Sequence, residues 1–132
     1  MFDMIPPDNI QIFEGALAKF WFDENGILCA VSKPTLRTIE TQRENYEFIK
    51  NFTGNQRVCL LADTTTTSPQ DKATREYMAK ELPNVFKAMA IISRSPLGYF
   101  ITNLFLAIKH QPIPIKFFKS EKDAKEWLMQ FL

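Results

Sequence analysis

Apolar and polar positions divide the chain into alternating strand-like and helix-like stretches. Residues 16–22 (Ala-Leu-Ala-Lys-Phe-Trp-Phe) and 27–32 (Ile-Leu-Cys-Ala-Val-Ser) are apolar runs on either side of Asp23-Glu24-Asn25-Gly26. Asn and Gly enter left-handed backbone cheaply, so the spacing predicts a hairpin with a four-residue loop, joined by a short strand near Ile10 to Phe13. Residues 39–53 carry Tyr46, Ile49 and Phe52 among charges and end before Gly54, the pattern of a helix closed by a glycine C-cap. The run 57–63 (Arg-Val-Cys-Leu-Leu-Ala-Asp) is continuously apolar up to its final carboxylate, as in a strand buried on both faces. After a threonine-rich turn, Ser68-Pro69-Gln70-Asp71 offers a serine N-cap, a proline at the first helical position and an acid three residues past the cap. A helix is expected from there to about Leu82, where Pro83 interrupts it. On this reading Ser68→Ala costs about 1 kcal/mol.

Residues 85–93 predict the next inner strand, and Ser95-Pro96 repeats the helix-start chemistry. Leu97, Ile101, Leu104, Phe105 and Ile108 then share one narrow arc of a helix. Ile113 to Phe118 read as a last strand, which Pro112 and Pro114 place at a sheet edge. Ser120 with Asp123 opens a final helix with Ala124, Trp127, Leu128 and Phe131 in one stripe. Strands that alternate with helices are joined by crossovers, so the expected fold class is α/β. Its sheet is mixed and mainly parallel, with an N-terminal hairpin and about four helices, all in a single domain over 1–132.

Composition narrows the functional classes. Sixteen basic residues against fifteen acidic ones leave a net charge of +1, so no global field draws in nucleic acid. The lysines at 109, 116, 119, 122 and 125 interleave with Glu121, Asp123 and Glu126, which reads as a solvated helix face. Cys29 and Cys59 each sit in an apolar run and are expected as buried, reduced thiols. Neither has a second cysteine at metal-ligand spacing, and His110 is the single histidine, so no metal is expected. The glycines at 15, 26, 54 and 98 build neither the dinucleotide turn nor the Walker loop, and no cofactor is expected. The first residues lack a basic leader and an unbroken apolar stretch, and no segment is long enough to span a bilayer. The expectation is a cytoplasmic protein.

The element order, the Leu60-Leu61-Ala62-Asp63 strand leading to a hydroxyl-rich turn and helix cap, and the closing stretch from Phe117-Phe118-Lys119-Ser120 to Ala124-Lys125-Glu126-Trp127-Leu128 resemble the STAS superfamily. More narrowly they resemble its SpoIIAA-like branch of small bacterial domains, over roughly residues 10–132. The resemblance implies a mixed sheet with helices mainly on one side and a role in bacterial partner switching. In the anti-sigma-factor antagonists of that superfamily, a serine or threonine at the start of the helix after the central strand is phosphorylated. The matching neighbourhood here is Thr64 to Ser68, but the antagonists' Asp-Ser-Ser/Thr-Gly-Leu-Gly signature is replaced by Pro69-Gln70-Asp71-Lys72.

Two groups of residues carry the functional expectations. Thr67 and Ser68 are candidates for phosphorylation or anion binding, because a helix start offers free N–H groups and Lys72 adds a charge. Asp71 opposes this by placing a negative charge there, which leaves a solvated helix cap as the alternative. Nothing between Ser95 and Ile108 is charged. Tyr99, Thr102, Asn103, Leu106 and His110 lie away from that helix's core stripe and are the expected interaction surface for a homodimer, a protein partner or an apolar ligand. The leading expectation is a non-enzymatic cytoplasmic regulatory module acting through protein–protein contacts. The alternative is a carrier or sensor of a small, lipid-like apolar ligand held between the sheet and the helix predicted over 95–108. A carrier calls for an apolar cavity, a regulator for a flat partner surface, and an enzyme for convergence of Asp63, Lys33 and His110.

Overall fold

A computed structural model of the chain describes residues 4–64, 70–92 and 112–132. Six strands form one sheet in sequence order: β1 (Phe13–Glu14), β2 (Ala18–Phe22), β3 (Leu28–Ser32), β4 (Val58–Asp63), β5 (Phe86–Ile92) and β6 (Ile115–Phe118). Around it lie α1 (Ile39–Thr53), α2 (Lys72–Val85) and α3 (Glu121–Leu128), the last running into a 3₁₀ turn over Met129–Phe131. Three α-helices are thus found among the described residues, against about four expected. The one predicted over 95–108 lies outside the described residues, as do Thr67, Ser68, Tyr99, Thr102, Asn103, Leu106 and His110.

The mixed sheet is the one expected. β1, β2 and β3 pair antiparallel, and β3 to β6 pair parallel. The hairpin turn is held by Asp23, whose Oδ1 accepts the N–H groups of Asn25 and Ile27, each at 2.9 Å. Gly26 supplies the left-handed residue, with φ 83°. β6 occupies the sheet edge, where Pro112 and Pro114 are tolerated because no further strand needs their missing donors.

α2 departs from the sequence reading at both ends. Its N-cap is Asp71, whose carboxylate accepts the Thr74 N–H at 2.8 Å, and not Ser68 three residues earlier. Both residues satisfy the cap spacing, and a carboxylate makes the stronger, charge-assisted bond. The helix also runs through Pro83 to Val85. A proline in the last turn removes one backbone bond, whereas stopping at Leu82 would unseat Val85, which is 2% exposed in the core.

Side chains alternate across the sheet and build two cores. On one face Trp21, Cys29, Cys59, Leu61, Ala90 and Ile92 pack beneath Ala124 and Leu128 of α3. On the other, Phe20, Leu28, Leu60 and Phe86 pack beneath Tyr46 and Ile49 of α1 and Leu82 of α2. Phe20 and Trp21 therefore serve opposite faces, as their adjacency requires. Two described helices cover one face and one the other, so both sides are covered. A register shift between Val58 and Cys59 pairs Val58 with Phe86 but Cys59 with Ala88. The extra β5 residue, Lys87, flips the alternation, which lets Phe86, Met89 and Ile91 all face α1 and α2.

Candidate ligand-binding site

The sheet face under α1 is not filled evenly. Toward the amino ends of β3 and β4 it presents Leu28 and Leu60, which pair across the strands. Toward their carboxyl ends it presents Ala18, Ala30, Ser32 and Ala62, with Ala18 opposite Ser32 and Ala30 opposite Ala62. Four short side chains side by side leave space that α1 does not descend to close. A cavity of about 370 Å³ lies above them. Its size falls within the range of about 300–1,000 Å³ typical of small-molecule sites. Phe20, Ile49, Met78, Phe86, Met89 and Ile91 supply apolar wall.

The roof is α1, fixed at both ends by local chemistry. Thr38 and Thr41 form a reciprocal capping box: Thr38 Oγ1 accepts the Thr41 N–H at 3.1 Å, and Thr41 Oγ1 accepts the Thr38 N–H at 2.8 Å. Gly54 closes the helix in left-handed backbone with φ 65°. Between these caps the period of 3.6 residues turns Gln42, Asn45, Tyr46 and Ile49 toward the sheet. Arg37, just before the cap, reaches back over β3, where its Nη2 donates to Ser32 Oγ at 3.3 Å and to the Leu17 carbonyl at 3.4 Å.

Polar groups in this lining lack partners. Arg37 Nε, Gln42 Nε2, Asn45 Oδ1 and Tyr46 Oη are buried atoms without a hydrogen bond. Gln42 is 1% exposed and Tyr46 4%. An unsatisfied buried donor or acceptor costs about 1–3 kcal/mol, so four of them around one cavity are expensive unless something in the cavity answers them. Burial pushes the Tyr46 phenol up, with Tyr77 adding to the push and the Arg37 charge opposing it. Tyr46 is therefore a neutral hydroxyl. Burial draws the Arg37 guanidinium below its ordinary value, but arginine remains a cation at physiological pH. It is the one charged residue among the described lining residues.

The candidate site residues named from the sequence, Thr67, Ser68, Tyr99, Thr102, Asn103, Leu106 and His110, all lie outside the described residues. The chain enters and leaves the stretch that holds Thr67 and Ser68 at Thr64 and Gln70, which both line the cavity. Of the three enzyme candidates, the two that are described, Asp63 and Lys33, are not among the described lining residues. The Asp63 carboxylate lies on the opposite sheet face and accepts the Met4 N–H at 3.1 Å. Lys33 pairs with Glu14 and donates to the Gly15 carbonyl, and His110 is outside the described residues. Cys29 and Cys59 are buried free thiols, as expected. Among the described residues no cluster of His, Cys, Asp and Glu is suited to hold a metal, and no helix is long and apolar enough to cross a membrane. The sequence reading missed Arg37, Gln42 and Asn45. Their signal was the position of Gln42 one turn before Tyr46, a polar residue on the buried stripe.

The fold is that of a small mixed α/β protein with a six-stranded sheet. The chain belongs to the family described as a domain of unknown function, DUF7793, which matches residues 20–132 and so takes in both α1 and most of the cavity floor. No curated protein matches the chain. A solved structure from Shewanella loihica PV-4 is described as an uncharacterized protein from the DUF3478 family with a SpoIIAA-like fold. It is similar at 23% identity and a TM-score of 0.48, over 97% of this chain and 98% of that one. A protein of unknown function from Arthrobacter sp. FB24 is similar at 23% identity and a TM-score of 0.29, over 84% of this chain and 92% of that one.

Proposed function

We propose that this chain is a non-enzymatic binding module that takes up a small amphipathic molecule in the cavity beneath α1 and signals its presence to a protein partner. The observation that carries the reading is the coincidence of a cavity of about 370 Å³ with four unpartnered buried polar atoms in its wall. A packing defect in a core is apolar and stays dry, and it gives no reason to bury amide, hydroxyl and guanidinium groups around it. The partner half of the reading rests on the sequence pattern shared with STAS-like regulators. A binding role is favoured over catalysis because the described lining residues include no carboxylate, thiol or imidazole to serve as a base or an activated nucleophile. The ligand reading rests on the described lining of the cavity beneath α1 and α2; the helix predicted over 95–108 lies outside the described residues. Two buried free thiols suit work in a reducing compartment such as the cytoplasm.

The test is uptake of 1-aminoanthracene, an apolar fluorophore that brightens when shielded from water. Wild-type protein is expected to bind it at one site, and Ala62→Leu, which fills the cavity floor, to lose that binding while staying folded. Equal uptake by both proteins, or none by the wild type, would contradict the reading.

A further inference from the structure

We infer that the molecule held in the cavity is a small organic acid, its carboxylate received by Arg37, Gln42 and Tyr46 and its apolar body by Met78, Phe86 and Ile91. The inference rests on the ligand-binding reading above and adds a chemical class to it.

Three of the four unpartnered atoms belong to donors: the Arg37 Nε–H, the Gln42 amide N–H groups and the Tyr46 hydroxyl. Because burial keeps the Tyr46 phenol protonated, its hydrogen is available to an acceptor. A carboxylate offers acceptor sites only, on two oxygens, and so answers several donors at once. Charge points the same way. Arg37 is partly buried, and the two contacts its Nη2 makes are to neutral oxygens at 3.3 and 3.4 Å, which leave its charge unbalanced. No acidic residue is among the described lining residues. A half-buried cation without a counter-ion is costly, and an anion brought by the ligand removes that cost. A neutral alcohol would leave the charge unanswered, and an amine would be repelled by it. Asn45 Oδ1, the one acceptor in the set, leaves a place for a donor elsewhere on the same molecule.

The test is calorimetric titration of the full chain at neutral pH with three probes that share one apolar body: decanoate, decanol and decylamine. Decanoate is expected to bind at one site about tenfold or more tighter than decanol, the scale of a charge-assisted hydrogen bond, with decylamine weakest. Arg37→Met is expected to remove the preference for decanoate, so that decanoate and decanol bind with similar affinity. Decanol binding as tightly as decanoate to the wild type, a comparison that needs no variant to fold, would overturn the inference and leave the ligand-binding reading standing. The same holds if Arg37→Met keeps the preference. Failure of all three probes to bind folded wild-type protein would overturn both.

Discussion

Asp71 shows how a single residue settles a boundary that two patterns contest. Ser68 and Asp71 each stand where an N-cap belongs, and the carboxylate is the one that receives the Thr74 N–H. Bonds from Thr74 hold the Asp71 carboxyl below the usual range, with the nearby Arg75 charge a smaller aid. A carboxyl depressed in the fold contributes stability that is present above its unfolded value of about 3.9 and is lost as pH falls through the folded value. Asp71→Asn keeps a capping oxygen but no titration. We expect its unfolding midpoint at pH 7 to change little and its acid limb below about pH 4 to flatten, as read by denaturant titration across pH. Cys29 titrates in the other direction. Desolvation is the largest influence and pushes its thiol up to about 12, although the nearby Lys125 charge pulls the other way. The unfolded thiol ionises first, so this residue's share of stability is complete at neutral pH and declines above about pH 8.5. Iodoacetamide at pH 8.5 is accordingly expected to modify Cys29 many-fold more slowly in the folded protein than in urea. The burial of Cys29 was legible in its apolar run. The choice of Asp71 was not, because two equivalent spacings differ only in the strength of one hydrogen bond.

At the scale of elements, most of the architecture can be read from local chemistry. The α1 boundaries follow from Thr38 and Gly54, the α3 start from Ser120, and the hairpin from Asp23 to Gly26. Thr38→Ala removes half of the capping box that holds the roof of the cavity and is expected to cost about 1 kcal/mol by thermal or chemical denaturation. Asp23 does more than turn the chain. Its second oxygen lies 3.3 Å from Lys125 Nζ, tying the hairpin to α3, while its first takes two backbone donors. Asp23→Ala is expected to cost about 2 kcal/mol, since it strands the buried Ile27 N–H and the partly buried Asn25 N–H as well as breaking the ion pair. The β5 bulge was not legible. Phe86 through Ile92 is apolar at nearly every position, so the sequence carries no alternation from which a break in alternation could be read. The persistence of α2 through Pro83 was hidden for a related reason: the burial of Val85 outweighs the local rule, and burial is a property of the assembled fold.

For the molecule as a whole, the two faces of the sheet are unlike. The α3 face is closed by Trp21, Ile92 and Phe118, whereas the α1 face carries alanines where large residues would fit. The apolar identity of Ala18, Ala30 and Ala62 was legible, but their meeting was not: it depends on the registers that set Ala18 against Ser32 and Ala30 against Ala62. Arg37 and Asn45 carry no pattern in the sequence that marks them, and the seating of α1 brings them to the cavity. If the space is a site and not a flaw, filling it trades function for stability. Ala62→Leu is expected to raise stability by about 1 kcal/mol, from apolar surface newly removed from water. The most direct measurement is native mass spectrometry of the purified, folded chain beside Ala62→Leu, each titrated with decanoate. The wild type is predicted to gain the mass of one acid molecule, and the filled variant to remain at the mass of the polypeptide. The same single adduct on both proteins, or none on either, would contradict a ligand seated beneath α1.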